Sequence, residues 1–381
     1  MIDETSWEQV RQEFPVTRDT AYLNCAAAAP VSRAALDAAT TFYRKMAETG
    51  DANWDEWLKQ REIARASVAA LINAEPYEIA FTTNTSSGMN LIVDALEDRG
   101  EVISCELEFP VSTLPWLHRG IRVHQVKAEN GELHAAAIER AMTKQTAIIS
   151  LSHVQYSNGF RADLESIGHH KKEHTFVVNA SQSLGVLPVD VKRMRIDALC
   201  ATGHKWLLAG YGSGFVYLSR ELLQQTQPRA IGWLSVEEPF AMRNHQSQLR
   251  TDAAARAELG CPHFASIFAL GASVDYLLRI GTKKIESRAL ALNRLLTARL
   301  AEANWTVLSP LREEAMRSAE TLVAAKEPAR IVAHLANHHI TVTEKPQGIR
   351  VATHFFNNEA DIDKLVNALE SYRSLTRTAV A

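Results

Sequence analysis

Residues 175–206 read TFVVNASQSLGVLPVDVKRMRIDALCATGHKW, and the way this stretch is punctuated decides the fold. The apolar run Phe176-Val177-Val178 has the character of a buried strand and stops at Asn179-Ala180-Ser181-Gln182. A second run, Ala198-Leu199-Cys200-Ala201, stops in the same way at Thr202-Gly203-His204-Lys205. Strands of an open parallel sheet that end in polar residues place them at its carboxyl edge, where such sheets bind ligands. A lysine there, backed by apolar residues, is a candidate for a depressed pKa and for carbonyl chemistry.

The alternation continues outward. Glu78-Ile79-Ala80-Phe81 predicts a short strand, followed by the turn Thr82 to Gly88. Met89, Ile92, Val93 and Leu96 recur at helical spacing, so Thr85 and Ser86 fall at a helix N-terminus. Hydroxyls, exposed N–H groups and the helix dipole suit a phosphate there, and ordinary Ser/Thr capping explains the same residues. Val102 to Ser104 is the next strand. Phe109, just past it, either stacks on a flat ring or fills core. Ala147 to Leu151 is another strand, running into Ser152 to Gly159 with Tyr156 in its midst. A helix over Leu164 to His170 and a strand over Phe215 to Leu218 complete the pattern. Strands alternating with helices from 79 to 218 predict an α/β fold with a mostly parallel sheet and helical crossovers.

On the N-terminal side, Tyr22 to Pro30 passes from a strand into small residues, including Ala27, that would let a ligand approach the backbone or would simply start a helix. Helical patterns follow over Arg33–Met46 and Trp54–Ile72. On the other side, 219–265 is polar and irregular, and a long helical region from Ser266 to Glu302 breaks at Gly281. Strands are expected at Thr306–Leu308, Thr321–Ala324 and Gly348–Ala352, and a last helix from Glu359 to Tyr372. The expected division is an N-terminal segment 1–20 packing with the small domain, a large domain 21–255 and a small domain 256–381.

A net charge of −3 over 381 residues gives no nucleic-acid signal. Cys25, Cys105, Cys200 and Cys261 are widely spaced, which argues against a disulfide framework or zinc site and fits a reducing compartment. The start MIDETSWEQVRQEF lacks the regions of a signal peptide, and no apolar run is long enough to span a bilayer, so a cytoplasmic protein is expected. The pairs His169-His170 and His338-His339 read as surface residues, and no metal site is expected.

The order and spacing of these features resemble the class V aminotransferase family of fold-type I pyridoxal 5'-phosphate (PLP) enzymes, which also holds cysteine desulfurases, isopenicillin-N-epimerase-like proteins and kynureninases. The resemblance runs from YLNCAAAAP, through the lysine motif Thr202-Gly203-His204-Lys205 and the inter-subunit loop Glu258-Leu259-Gly260-Cys261-Pro262, to RVATHFFNNEADIDKLVNALE. It implies PLP held by Lys205 as a Schiff base. Thr85, Ser86, Thr202 and His204 are implied at the phosphate, Phe109 on the ring, Asn179 at the ring nitrogen and Gln182 near the ring's phenolic oxygen. Arg350 is implied to grip the substrate carboxylate, with Ala27 and Tyr156 beside the substrate. A homodimer with the site at its interface is also implied.

Three departures qualify the resemblance. Asn179 stands where the family has an aspartate that keeps the pyridine nitrogen protonated. Residues 325–349 hold no cysteine, so the persulfide-forming thiol of a desulfurase is missing. Cys261 replaces a threonine whose hydroxyl reaches the neighbouring subunit's phosphate. The expected activity is transamination of an amino acid first, with C–S or other β/γ-elimination or epimerisation second. A scaffold that has lost turnover is the rival of another class. A nucleotide-binding protein lacks its Gly-rich fingerprint.

Overall fold

A computed structural model describes residues 6–245, 248–250 and 254–378. Its helices are α1 Trp7–Gln12, α2 Arg33–Thr49, α3 Trp54–Leu71, α4 Thr85–Leu96, α5 Leu114–His118 and α6 Ala135–Ala141, then α7 Leu164–His170, α8 Arg220–Gln225, α9 Phe264–Ile280, α10 Thr282–Glu302, α11 Pro328–Asn337 and α12 Glu359–Thr378. Its strands are β1 Ala21–Tyr22, β2 Ile79–Thr82, β3 Glu101–Cys105, β4 Val123–Val126, β5 Thr146–Ser152 and β6 Thr175–Asn179, then β7 Ala198–Thr202, β8 Gly214–Leu218, β9 Glu320–Ala324, β10 Ile340–Thr341, β11 Thr343–Lys345 and β12 Gly348–Ala352.

The expected mostly parallel sheet forms with seven strands in the order β2-β8-β7-β6-β5-β3-β4. Only β8 opposes its neighbours, pairing antiparallel with β2 and β7. Every residue of β6, β7 and β8 is buried, as a sheet covered on both faces requires, and this is why these strands read as unbroken apolar runs. On one face α4 packs closely. A Cβ on Gly88 would sit 3.0 Å from a Val216 methyl and 3.2 Å from Cys200 Cβ, so a glycine is what lets the helix approach the strands. The carboxyl ends of β2, β3, β5, β6 and β7 share one edge of the sheet.

The C-terminal part is a three-stranded antiparallel sheet, β11-β12-β9, with β1 and β10 pairing in parallel nearby. Leu292, Leu296, Ile331, Leu335, Ile362 and Leu365 from α10, α11 and α12 close its core. Residues 21–24 hydrogen-bond with the C-terminal strands through Ala21 N to His339 O, Leu23 N to Thr341 O and Ala352 N to Leu23 O. Helix α9 packs against α2 and α3. Its apolar residues Phe264, Ile267 and Phe268 fill a cluster with Phe42 and Trp57. The strand expected at Thr306–Leu308 is reduced to an isolated antiparallel bridge, Val307 to Val323, on the free edge of β9, with Leu308 N donating to Leu322 O at 2.8 Å and Ala324 N to Thr306 O at 2.9 Å. In the N-terminal segment, Arg11 pairs with Asp361 at 2.7 Å and Phe14 stacks on Phe356 at 4.5 Å. Among the described residues no single helix is long and apolar enough to cross a membrane.

Candidate active site

Lys205 sits in the loop that leaves β7, and its neighbours immobilise that loop. Ala29 N donates to His204 O at 2.8 Å, Ser273 Oγ to Leu207 O at 2.6 Å and Ala209 N to Gly203 O at 2.8 Å. Gly185, at φ +109°, lies so near Trp206 that a Cβ there would be 2.2 Å from the Trp206 carbonyl oxygen. Lys205 is half-buried, and its amine faces the Phe109 ring 5.9 Å away. Burial pulls its pKa from 10.5 down to about 8; Arg350 and Lys345 push in the same direction and Glu320 opposes them. No hydrogen bond to Lys205 Nζ is found among the described residues.

The neighbouring strand end supplies a fixed amide pair. Asn179 donates from Nδ2 to Ser112 Oγ at 3.1 Å, and its Oδ1 accepts from Ser181 N at 3.1 Å. Gln182 is held at both ends: Nε2 donates to Ala26 O at 3.0 Å and Oε1 accepts from Trp206 Nε1 at 3.0 Å. Ala27, half-buried, directly follows that anchoring carbonyl. Thr85 Oγ1 and Ser181 Oγ are 2.7 Å apart, so the first residue of α4 is tied to the end of β6.

At α4, Asn84 caps the helix by accepting from Ser87 N at 2.9 Å. Thr85 and Ser86 are the first two helical residues, whose N–H groups have no intrahelical carbonyl to bond. Together with the Ser86 hydroxyl, which is exposed, they form an anion cradle. Thr202 is placed differently. Its buried hydroxyl lies 2.8 Å from His204 Nδ1 and 3.4 Å from Ser213 O, so it orients His204. That imidazole stacks on Tyr211 at 4.6 Å, and burial, with help from Lys205, pulls its pKa down to about 4. His204 is therefore neutral at pH 7.

Across the site stands Arg350 of β12, 4% exposed. Its Nη1 donates to Tyr156 O at 3.2 Å and lies 3.5 Å from Glu320 Oε2; its buried Nε has no partner. Tyr156 meets Phe109 edge-on at 5.1 Å, and Lys345 lies over the Tyr156 ring at 4.3 Å. Glu320, Lys345, Ser181 and Ser112 escaped the sequence reading. A glutamate heading an apolar strand carries no local mark of where its side chain points, and a lone serine or lysine carries less.

Among the described residues no three metal-ligating side chains converge. His169, His170, His338 and His339 are exposed, as read from the sequence. Cys25, Cys105 and Cys200 are buried, and Cys261 is exposed. Cys261 lines a cavity of about 450 Å³ with Thr83 and Ser87, beside the N-terminus of α4.

These parts fit pyridoxal phosphate: a partly deprotonated amine for its aldehyde, a half-open aromatic face on Phe109 (46% exposed) for its ring, and a helix N-terminus for its phosphate. Fold and site thus define a fold-type I PLP enzyme. The family model described as aminotransferase class-V matches residues 21–365, and the chain belongs to that family. A probable cysteine desulfurase of Methanothermobacter thermautotrophicus is 28% identical, covering 95% of this chain and 97% of the relative. An isopenicillin N epimerase of Streptomyces clavuligerus is 27% identical, covering 96% and 98%. The apo structure of a cysteine desulfurase from Thermococcus onnurineus NA1 superimposes with a TM-score of 0.89 at 24% identity, over 98% of this chain and 99% of that one.

Proposed function

We propose that this chain is a PLP-dependent lyase that removes the α-proton of a sulfur-containing amino acid and expels its β-sulfur group. The carrying observation is that Lys205, whose pKa burial lowers to about 8, stands in one site with Arg350, whose buried Nε has no partner among the described residues. Bound at Lys205, pyridoxal phosphate would supply an electrophilic carbon for the substrate amine and a ring that withdraws electrons from the α-carbon. Arg350 grips the substrate carboxylate with its planar fork. Lys205, with a pKa of about 8, takes the α-proton near neutral pH. Phe109, exposed on one side, would hold the ring of the cofactor. Asn179 has a second Nδ2 proton beyond the one given to Ser112, and this suits an uncharged ring nitrogen.

The choice of lyase over transaminase revises the expectation from sequence. It draws on relatives named as desulfurases and as epimerases that span the chain. Persulfide transfer by Cys25, Cys105 or Cys200 is disfavoured. Residues 325–349 contain no cysteine. Burial drives the Cys25 thiol far above its usual range and the Cys105 and Cys200 thiols up to about 12, so none is a thiolate nucleophile. A homodimer belongs to the same proposal, with Tyr211, Phe240 and Met242 exposed as candidate contacts; sedimentation velocity tests it. Four unpaired thiols support a reducing, cytoplasmic setting.

The deciding experiment incubates the PLP-loaded enzyme with L-cysteine, L-cystine and L-alanine and assays sulfide, pyruvate, alanine and the D-isomers. Sulfide (or persulfide) with pyruvate supports elimination. Alanine from cysteine would mean a desulfurase, racemised product an epimerase, and a keto acid formed only with a second keto acid present a transaminase; each refutes the lyase reading.

A further inference from the structure

Glu108 is a buried carboxylate that the proposed chemistry leaves unused, and it directly precedes Phe109. Residues Pro110–Ser112 form a single turn, closed by Ser112 N donating to Phe109 O at 2.9 Å. The turn that presents the Phe109 ring therefore has Glu108 before it and Ser112 at its end. Glu108 is tied to the end of β5: its Oε1 accepts from Ser152 N at 2.6 Å and from Gln155 Nε2 at 2.7 Å, and its Oε2 accepts from Ser152 Oγ. The Ser112 hydroxyl bonds the same carboxylate. Burial lifts the Glu108 carboxyl above the ordinary carboxylate range, and these donors oppose the rise. Ser112 is itself fully buried and reaches Asn179 at the end of β6, 3.1 Å away.

Groups that can only donate assign every proton along this chain. Ser181 N is a backbone donor, so the Asn179 atom 3.1 Å from it is Oδ1. Nδ2 then faces Ser112 Oγ and gives it one proton. A serine oxygen that accepts from Nδ2 sends its own proton elsewhere, and the Glu108 carboxylate receives it. Among the described residues one N–H of the chain is left without an acceptor, the second proton on Asn179 Nδ2. We propose that Glu108 and Ser112 are positioning residues that lock the Asn179 amide with this N–H turned to the ring nitrogen of pyridoxal phosphate, which is thereby bound as an acceptor and stays uncharged. Released from the lock, the amide can turn about its Cβ–Cγ bond and offer Oδ1 instead, an acceptor that favours a protonated nitrogen. The same turn carries Phe109, so one local unit sets both the ring face and the ring nitrogen. The inference rests on the reading that Asn179 meets that nitrogen.

The test reads the ring nitrogen itself, by nitrogen NMR of the full chain loaded with isotope-labelled pyridoxal phosphate, together with the Kd for that cofactor. In the wild type the signal should be that of an uncharged pyridine nitrogen accepting a hydrogen bond; a pyridinium signal would overturn the proposal. Ser112→Ala removes the link and leaves Glu108 its bonds to Ser152 and Gln155. Glu108→Gln keeps the shape; with two N–H donors on Oε1, its new amide nitrogen takes the place of Oε2 and can only donate. In both variants the ring-nitrogen signal should leave its wild-type position, and Kd should rise about two- to tenfold, the loss of one hydrogen bond. The double variant should move the signal no further than the larger single effect, because both residues act through one chain. In the cofactor-free protein the Asn179 side-chain amide signal, identified by its absence from Asn179→Asp, should move in Ser112→Ala. A merely structural role would weaken cofactor binding with the ring-nitrogen signal unmoved, and that result overturns the proposal. An Asn179 amide signal indifferent to Ser112→Ala does the same, and either result leaves the lyase reading to its own product assay. A wild-type chain that takes up no pyridoxal phosphate overturns both.

Discussion

Replacing Lys205 by methionine in the cofactor-free protein should make the fold more stable, by an amount that depends on pH. Burial and nearby cations lower the lysine pKa from 10.5 to about 8. At about 1.4 kcal/mol per pH unit, the folded state disfavours the ammonium form by about 3 kcal/mol relative to the unfolded chain. Below pH 8 both states carry the proton, so the whole penalty is present. Between pH 8 and 10.5 the unfolded chain holds the proton that the folded chain has released. Stability therefore rises with pH through this window as the penalty is relieved. Methionine matches the lysine stem in volume and carries no charge, while Glu320 keeps Arg350 and Lys345 as counter-charges. Urea unfolding followed by tryptophan fluorescence should place Lys205→Met about 3 kcal/mol above the wild type at pH 7 and about 1 kcal/mol above it at pH 10. A variant no more stable than the wild type at pH 7, or an advantage that persists unchanged at pH 10, would refute the argument that the amine is held in a site hostile to its charge.

Arg350→Met should raise KM for the amino acid by roughly ten- to a hundredfold, the worth of about 1.5–3 kcal/mol for hydrogen bonds to a charged group, with steady-state kinetics as the check. Asn179→Asp would place a carboxylate at the ring nitrogen and raise the pyridinium pKa by about 1–3 units; α-proton exchange in deuterated water should speed up, and an unchanged rate and absorption spectrum would count against a neutral ring nitrogen in the native enzyme. Arg65→Met would strip the buried Glu258 of its closest partner, now at 2.6 Å, and leave a carboxylate that otherwise receives Phe81 N at 2.8 Å. Thermal and urea melts should then show a loss of about 3–5 kcal/mol.

The sheet edge and its lysine are properties of local sequence. An unbroken apolar run that ends in polar residues can be read one segment at a time, because the requirement it meets, burial on both faces, acts on each strand separately. The same holds for Thr85 and Ser86, where helical spacing after a hydroxyl-rich turn marks a helix N-terminus. Thr202 carries its motif, yet its hydroxyl turns to His204 and Ser213, and only the packed loop shows this.

Other features came from pairing across long stretches of chain. Residues 21–24 form their hydrogen bonds with segments more than three hundred residues away, and no periodicity within the first thirty residues announces such a partner. The relation between Glu320 and Arg350 depends on register: Arg350 stands opposite Leu322 and Ala352 opposite Glu320, which sets the two charges on one face as diagonal neighbours. A slip of one residue would send Glu320 to the other face. By itself the sequence determined that a lysine would stand at the carboxyl edge of a buried sheet. Only the tertiary structure decided that a buried carboxylate without hydrogen bonds, Glu320, would stand near that lysine and Arg350, because strand register and packing between distant segments select the far side of a site.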